Sequence, residues 1–260
     1  MAAPERPVLP GAEPFSADGG PHGALVLHGF TGCPQSMRGL AQAFAAAGFA
    51  VELPRLPGHG TSVEDLMTTS WSDWADTVEA AYADLAGRCD KVVVAGLSMG
   101  GTLSVWLATR HPDIAGIVAI NPAIDAGGAM VRDALQGLAD QGMQTIPGPG
   151  GDVADPTSTE LAYAETPVAG MLNLVDAIMA LEPHLGAVRS PVLLLHSRQD
   201  HVVPASSSDL LERSVSGPVE RVTLERSFHV ATIDFDKTEI EQRAVEFART
   251  VTGQEHAYGR

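Results

Sequence analysis

One short segment constrains the fold of this chain more than any other. The apolar run at residues 91–94 leads into Ala-Gly-Leu-Ser-Met-Gly-Gly at 95–101. This pattern predicts a buried strand, then a G-x-S-x-G turn, then a helix that begins near Met99. Gly96 and Gly100 leave room for a bend that a Cβ atom would obstruct. Ser98 is therefore expected to present its hydroxyl at the edge of a sheet, within reach of both a base and a substrate.

Strand-like and helix-like segments alternate along most of the chain. Apolar periodicity predicts strands at 24–27, 50–53, 92–95, 114–120, 192–196 and 219–224, and helices at 35–47, 70–87, 100–110, 206–215 and 237–251. Such alternation is typical of a mostly parallel, doubly wound sheet that binds its ligand at the carboxyl ends of the strands. We therefore expect an α/β fold.

The alternation stops between residues 122 and 185. This segment shows no clear strand, but two helical stretches flank a Gly- and Pro-rich break at 146–151, and the second helix is expected at 167–181. An insertion that follows a strand at the ligand-binding edge would cover that edge. We therefore expect a core made of residues 1–121 and 186–260, with a helical cap at 122–185.

Composition and charge argue against several classes of function. The 260 residues carry a formal net charge of −16, which would repel nucleic acid and anionic membrane surfaces at long range. No apolar run looks long enough to cross a bilayer, and the first 14 residues lack the apolar core of a secretory signal. We expect a cytoplasmic protein without stable membrane insertion. Cys33 and Cys89 lack metal-ligand spacing, so no metal site is predicted.

A serine nucleophile needs a base for its proton, and the base needs a carboxylate that orients it and stabilises its charge. In this type of sheet the chain order is serine, acid, histidine. Of nine histidines, His229 fits best because it follows the last predicted strand and precedes the last helix. Asp200 follows the strand at 192–196 and is the favoured acid. Asp125 is the alternative, since some hydrolases supply the acid one strand earlier.

The tetrahedral intermediate of acyl transfer also needs hydrogen-bond donors for its oxyanion. One predicted donor is the backbone N–H of Met99, at the start of the helix that follows the serine. The other is the backbone N–H of Phe30, in the loop after the first predicted strand. We expect His28 to hydrogen-bond this loop and hold Phe30 in place.

Together these segments resemble the α/β-hydrolase superfamily, and within it the bacterial monoacylglycerol lipase and carboxylesterase group. The resemblance runs from about residue 14 to residue 247. It is carried by Leu-His-Gly-Phe-Thr-Gly at 27–32, Gly-His-Gly-Thr at 58–61, Gly-Leu-Ser-Met-Gly-Gly at 96–101, Glu-Leu-Ala-Tyr at 160–163, Asp-His-Val-Val-Pro at 200–204 and Ser-Phe-His-Val-Ala-Thr at 227–232.

The resemblance implies hydrolysis of monoglycerides, a cap that admits a single acyl chain, and no metal or organic cofactor. In that group the glutamate of the Glu-Leu-Ala-Tyr segment helps to hold the glycerol headgroup, which points to Glu160. The alternative for Glu160 is an exposed acid at a helix start. The apolar face of the second cap helix either forms one wall of an acyl channel or packs the cap onto the core. Its residues are Met171, Leu172, Val175, Ile178 and Met179.

The sequence thus predicts a serine ester hydrolase that acts on a small lipid ester, the monoacylglycerol, through an acyl-enzyme. Ser98, Asp200 and His229 would carry the chemistry. Two alternatives stay open: a general carboxylesterase that prefers short acyl chains, and a non-catalytic ligand-binding protein that keeps the fold.

Overall fold

The structure, a computed structural model, describes residues 6–254. Within this range seven strands form one sheet in the spatial order β1-β3-β2-β4-β5-β8-β9, and β6 pairs with β7 in a separate hairpin. Apart from the antiparallel edge pair β1 and β3, neighbouring strands of the sheet are parallel. The strands are β1 (Phe15–Ala17), β2 (His22–Leu27), β3 (Ala50–Leu53), β4 (Lys91–Leu97), β5 (Gly116–Ile120), β6 (Thr145–Pro147), β7 (Glu165–Pro167), β8 (Val192–Ser197) and β9 (Val219–Leu224).

Helices cover both faces of the sheet, which confirms the predicted α/β fold. The helices are α1 (Arg38–Ala46), α2 (Val63–Leu66), α3 (Trp71–Arg88), α4 (Met99–Arg110), α5 (Gly128–Asp140), α6 (Val168–Leu181), α7 (Ala205–Ser214) and α8 (Lys237–Thr252). Helices α1 and α8 pack on one face, and α3, α4 and α7 pack on the other.

Strand β4 shows why the sequence of its segment is continuously apolar. Val92 and Val94 belong to the core under α3 and α4, whereas Val93 and Ala95 belong to the core under α1 and α8. A central parallel strand is buried on both faces, so apolar residues occupy successive positions rather than alternate ones. This burial places the carboxyl end of β4, and with it Ser98, at the middle of the sheet.

The segment between β5 and β8 contains α5, the hairpin of β6 and β7, and α6. The expectation of no strand in this segment was wrong, because Ile146 of β6 pairs with Thr166 of β7. Each strand has only three residues and lies beside Gly or Pro, so neither shows a period that sequence analysis can detect. Residues 122–185 remain the predicted extent of the cap.

Helix α6 and the turn that follows it correct the expectation that no apolar run is long enough to cross a bilayer. Among the described residues, the stretch Val168–Ala187 is long and apolar enough to span a membrane by length and composition, with a mean hydropathy of 1.2. In this structure Leu174, Ile178 and Leu181 of α6 are buried in the core. A helix that packs on a core passes the same test, because its inward face is apolar.

Candidate active site

Ser98 occupies the turn between β4 and α4 with φ of 54° and ψ of −117°, a conformation that L-residues rarely adopt. The surrounding backbone holds it there, since the Ser98 N–H donates to the Ile120 carbonyl at 3.0 Å. A Cβ on Gly96 would lie 2.1 Å from the Gly100 carbonyl oxygen, and a Cβ on Gly100 would lie 2.2 Å from that of Leu27. Both glycines are therefore required for the close packing of this turn.

His229 and Asp200 form a hydrogen-bonded pair at the carboxyl edge of the sheet. His229 Nδ1 lies 2.8 Å from Asp200 Oδ2, and the two side chains are only 8% and 7% exposed. A carboxylate can only accept, so Nδ1 carries the hydrogen and leaves Nε2 able to take a proton. The other oxygen of Asp200 accepts from the N–H groups of Val202 and Val203, both at 2.8 Å. These bonds orient the carboxylate.

Asp125, the alternative acid, has different partners. Its carboxylate accepts from the Gly127 N–H at 2.9 Å and from the Ser206 hydroxyl at 2.7 Å. The Ser206 hydroxyl, followed by the Gly127 N–H, lowers the pKa of Asp125. Of the two candidate acids, Asp200 is the one that is hydrogen-bonded to His229.

Ser98 and His229 line the same cavity, which has a volume of about 330 Å³. Phe30 and Glu160 line it as well, together with apolar residues of α6. A concave and largely apolar pocket that contains a few polar groups is the usual form of a small-molecule site. The structure therefore brings a hydroxyl, a paired imidazole and an apolar wall to one cavity.

Asn121 supports this arrangement and was missed by the sequence analysis. It follows β5 with φ of 42°, and its side-chain N–H₂ donates to the His229 carbonyl at 2.7 Å and to the Ser197 hydroxyl at 3.0 Å. Its side-chain oxygen accepts from the Ser197 N–H at 2.7 Å. Asn121 thus links the ends of β5 and β8 to the His229 loop.

His28 holds the loop that carries Phe30, as expected. Its Nδ1 donates to the Gly29 carbonyl at 2.9 Å, and its Nε2 accepts from the Leu56 N–H at 3.1 Å. Burial lowers the pKa of His28 to about 4, so the ring is neutral at pH 7. The Phe30 ring packs edge-on against His59 and at a tilt against Trp74, with centroid distances of 5.9 and 5.4 Å.

The polar lining of the cavity includes Glu160 and Thr166 in addition to Ser98 and His229. Burial raises the pKa of Glu160 to about 7, and the nearby His229 acts in the opposite direction. Thr166 is 1% exposed, and in the described part of the chain nothing hydrogen-bonds its Oγ1 atom. Both residues line the cavity. A buried hydroxyl without a partner is unusual and indicates a position that a ligand group can satisfy.

The residues of α6 predicted to contact substrate divide into two groups. Met171, Val175 and Ile178 line the cavity, and so does Leu174, which the sequence analysis did not include. Leu172 and Met179 do not line it, which corrects that part of the expectation. Successive residues of an α-helix are rotated by about 100°, so the face that holds 171, 174, 175 and 178 excludes positions 172 and 179.

Other candidate groups have structural partners. The Cys33 thiol is buried and lies 3.3 Å from the Leu161 carbonyl, and burial raises its pKa to about 11. The thiol is therefore protonated and unreactive at neutral pH. Across residues 6–254, no group of three or more His, Cys, Asp and Glu side chains is arranged to hold a metal ion.

Comparison with known proteins extends the likeness over nearly the whole chain. A family model described as serine aminopeptidase, S33, matches residues 21–236. A thermostable monoacylglycerol lipase from Bacillus sp. (strain H-257) is 45% identical over 244 residues, which cover 94% of this chain and 96% of that protein. A carboxylesterase from Bacillus subtilis (strain 168) is 27% identical over 237 residues, which cover 90% of this chain and 95% of that protein.

A solved structure shows the same likeness in three dimensions. It comes from a study of LipS and LipT, two metagenome-derived lipolytic enzymes, and is 42% identical to this chain. The match has a TM-score of 0.89 and covers 94% of this chain and 100% of the other. The resemblance seen in the motifs is therefore confirmed at the level of the whole sequence and of the fold.

Proposed function

The chain belongs to the family described as serine aminopeptidase, S33, within the α/β-hydrolase superfamily, and we propose from this premise that it hydrolyses monoacylglycerols. The observation that carries the proposal is the composition of one cavity. Its lining includes Ser98 and His229, an apolar face of α6, and two polar residues that no catalytic step requires, Glu160 and Thr166. A monoacylglycerol has a matching composition, since its ester joins an apolar chain to a headgroup with two hydroxyls.

In the proposed reaction Ser98 Oγ attacks the ester carbonyl while His229 Nε2 takes its proton. Asp200 keeps His229 in the required tautomer and stabilises the imidazolium that forms. The N–H groups of Phe30 and Met99 donate to the oxyanion of the tetrahedral intermediate. His229 then returns the proton to the glycerol oxygen, which leaves an acyl group on Ser98. A water molecule, activated by His229 in the same way, releases the fatty acid.

The headgroup is proposed to lie beside Glu160 and Thr166. The Glu160 carboxyl adjoins the Phe30 loop, because a Cβ on Gly32 would lie 2.7 Å from Glu160 Oε1. With a pKa of about 7, the Glu160 carboxyl is partly neutral at that pH and can both donate to and accept from a hydroxyl. Thr166 Oγ1 supplies a further hydrogen-bonding atom. The acyl chain would follow the face of α6 made by Met171, Leu174, Val175 and Ile178.

Three esters test this function against its alternatives. We expect monooleoylglycerol to be cleaved with a higher kcat/KM than ethyl oleate, which has the same acyl chain without headgroup hydroxyls, and than 4-nitrophenyl acetate. Fastest cleavage of the acetyl ester, with no cleavage of the monoglyceride, would instead show a short-acyl carboxylesterase. Turnover of an amino acid 4-nitroanilide in place of all three esters would show an aminopeptidase. A cytoplasmic location stays a prediction from the sequence.

A further inference from the structure

The cap segment that follows the Gly- and Pro-rich break contacts both loops that carry the proposed acid and base. Asp152 is the centre of this contact. Its Oδ2 accepts from the His229 N–H at 3.1 Å and from the His201 N–H at 3.2 Å. Its Oδ1 lies 2.9 Å from His201 Nδ1, and its own carbonyl accepts from the Val230 N–H at 3.0 Å. One carboxylate oxygen therefore joins the backbone of His229 to the residue directly after Asp200.

Asp234 makes the reciprocal connection from the His229 loop back to the cap. Its Oδ2 accepts from the N–H groups of Ala154 and Phe228 at 2.8 and 2.9 Å. Its Oδ1 accepts from the Asp155 N–H at 2.9 Å. The Asp234 side chain is fully buried. The cap segment at 152–155 and the His229 loop are thus joined by a carboxylate from each side.

These hydrogen bonds hold the backbone of His229, and the backbone sets the position of the imidazole ring. Asn121 donates to the His229 carbonyl, and Asp152 accepts from the His229 N–H, so the backbone of the base is held on both sides. The Asp152 side chain is 14% exposed, and hydrogen bonds to an ionised carboxylate are stronger than those between neutral groups. The loops that follow β8 and β9, which the Asp200–His229 pair joins directly, are therefore also linked through Asp152.

We propose that Asp152 is a positioning residue of the active site, whose carboxylate sets the spacing between the loops that carry Asp200 and His229. It touches neither the substrate nor the reacting atoms. On this account the cap governs turnover as well as access, because the length of one of its side chains places the base. The inference rests on the proposed Ser98, His229 and Asp200 chemistry, but not on the identity of the ester.

Two substitutions separate the effect of the length of the Asp152 side chain from the effect of its charge. Asp152→Asn keeps the length and an oxygen that accepts both backbone N–H groups, but it removes the charge. Asp152→Glu keeps the charge and adds one methylene, which pushes the loops apart. A displacement of about 1 Å at a catalytic group can lower turnover on the order of 10²-fold. We therefore expect Asp152→Glu and Asp152→Ala to lose tenfold to a hundredfold in kcat with KM within twofold of the wild type, and Asp152→Asn to retain kcat within about fivefold.

The measurement is kcat and KM for 4-nitrophenyl butyrate, with kcat expressed per active site titrated by a phosphonate. Titration removes any misfolded fraction from the comparison. The matched control is Asp155→Asn, because among the described residues the hydrogen bonds of the Asp155 side chain go to the N–H and hydroxyl of Thr157 within its own turn. This control is expected to leave kcat unchanged. If Asp152→Ala does not fold, the contrast between Asp152→Glu and Asp152→Asn decides the question.

Two results would overturn the inference. The first is wild-type kcat in Asp152→Glu, and the second is an Asp152→Asn variant as impaired as Asp152→Glu, which would assign the effect to charge. Failure of the proposed Ser98, His229 and Asp200 chemistry is distinguishable, since the wild-type enzyme would then cleave no ester, whereas a short-acyl carboxylesterase would still cleave 4-nitrophenyl butyrate and the test would stand.

Discussion

Two polar side chains of the cavity, Glu160 and Thr166, have no hydrogen-bond role in holding the described structure together. At the residue scale this sets them apart from Asp200, Asn121 and His28, each of which makes a hydrogen bond to another residue of the protein. When a polar residue is buried in order to bind substrate, its substitution is expected to weaken substrate binding and to leave the free energy of unfolding unchanged or higher.

Thr166→Val tests the headgroup contact. The valine keeps the shape of the side chain and removes Oγ1, so a monoglyceride loses one hydrogen bond, which is equivalent to about 0.5–1.5 kcal/mol. We expect the specificity constant for monooleoylglycerol to fall about threefold to tenfold, mostly through a higher KM. Ethyl oleate, which lacks the hydroxyls, serves as the matched substrate and should change less than twofold. An equal loss on both esters would contradict a headgroup role for Thr166.

Glu160→Gln tests how the buried carboxyl affects the stability of the protein. Because burial raises the pKa of Glu160 from 4.5 to about 7, the folded state binds the proton more tightly than the unfolded state. The carboxyl therefore does not destabilise the protein below pH 4.5, and it lowers the free energy of unfolding progressively as pH rises through 7. Glutamine has no such dependence. Urea unfolding should show Glu160→Gln more stable than the wild type by up to about 3 kcal/mol at pH 8, with no difference near pH 4.5.

Unchanged stability at pH 8 would mean that Glu160 is ionised and solvated in the folded protein. The same variant should also bind monoglyceride less well at pH 8, since the amide lacks the negative charge that strengthens a hydrogen bond from a headgroup hydroxyl. Higher stability together with weaker substrate binding is the combination expected of a side chain buried for function.

The residues that sequence analysis identified and those it missed differ in a physical respect. Ser98, Asp200 and His229 each follow a strand of a parallel sheet, so their order and position alone place them at one edge. Asn121 and Asp152 hydrogen-bond to groups that lie far away in the sequence, and Thr166 is distinguished by its buried position in the cavity. Nothing in their local pattern distinguishes them from ordinary loop residues, and only the folded structure brings their partners together.

At the scale of elements, the turn between β4 and α4 is the feature that tolerates least change. A Cβ on Gly96 would lie 2.1 and 2.2 Å from the carbonyl oxygen and carbon of Gly100. These are backbone atoms at the start of α4, so neither can move without shifting Ser98. The helix that follows is buried along most of its length and cannot move away either.

Gly96→Ala is therefore expected to lower the free energy of unfolding by roughly 3 kcal/mol or more, the range of severe core and backbone changes. The matched control is Gly137→Ala in α5, where a Cβ meets no atom within 4 Å. Alanine should stabilise that helix by up to about 1 kcal/mol. Thermal unfolding of the two variants beside the wild type measures both effects. Equal melting temperatures for Gly96→Ala and the wild type would refute the packing argument for the turn.

Comparison of the elements with their predicted bounds shows how far the period of apolar residues predicts strands and helices. Strands β3 and β9 have the predicted bounds, and α3, predicted at 70–87, spans Trp71–Arg88. There the Asp73 carboxylate accepts from the Ser70 N–H at 2.8 Å, a typical helix-start contact. The hairpin of β6 and β7, the edge strand β1 and the short helix α2 were missed because three or four residues cannot establish a period.

At the scale of the whole molecule, charge is the dominant property. With 32 acidic and 16 basic side chains, the folded protein carries a formal net charge of −16. Repulsion among like charges destabilises a compact state, and salt screens it with a Debye length of about 10 Å at 0.1 M.

We therefore expect the melting temperature at pH 8 to rise by several degrees between about 10 mM and 0.5 M NaCl. The control is the same titration near pH 4.8, the isoelectric point of the sequence, where net repulsion is absent and the rise should disappear. A melting temperature that falls with salt at pH 8 would mean that favourable ion pairs outweigh the net repulsion.

The central claim is that Ser98 is a nucleophile activated by His229 and Asp200. The measurement that tests it most directly is the rate at which a long-alkyl phosphonate labels the protein, with the labelled residue identified by mass spectrometry of its peptides. We predict one adduct per chain, on Ser98, formed at similar rates in the wild type and Asp125→Asn and at least about a hundredfold more slowly in Asp200→Asn. Folded wild-type protein that is unlabelled at Ser98, or an Asp200→Asn variant labelled as fast as the wild type, would contradict the claim.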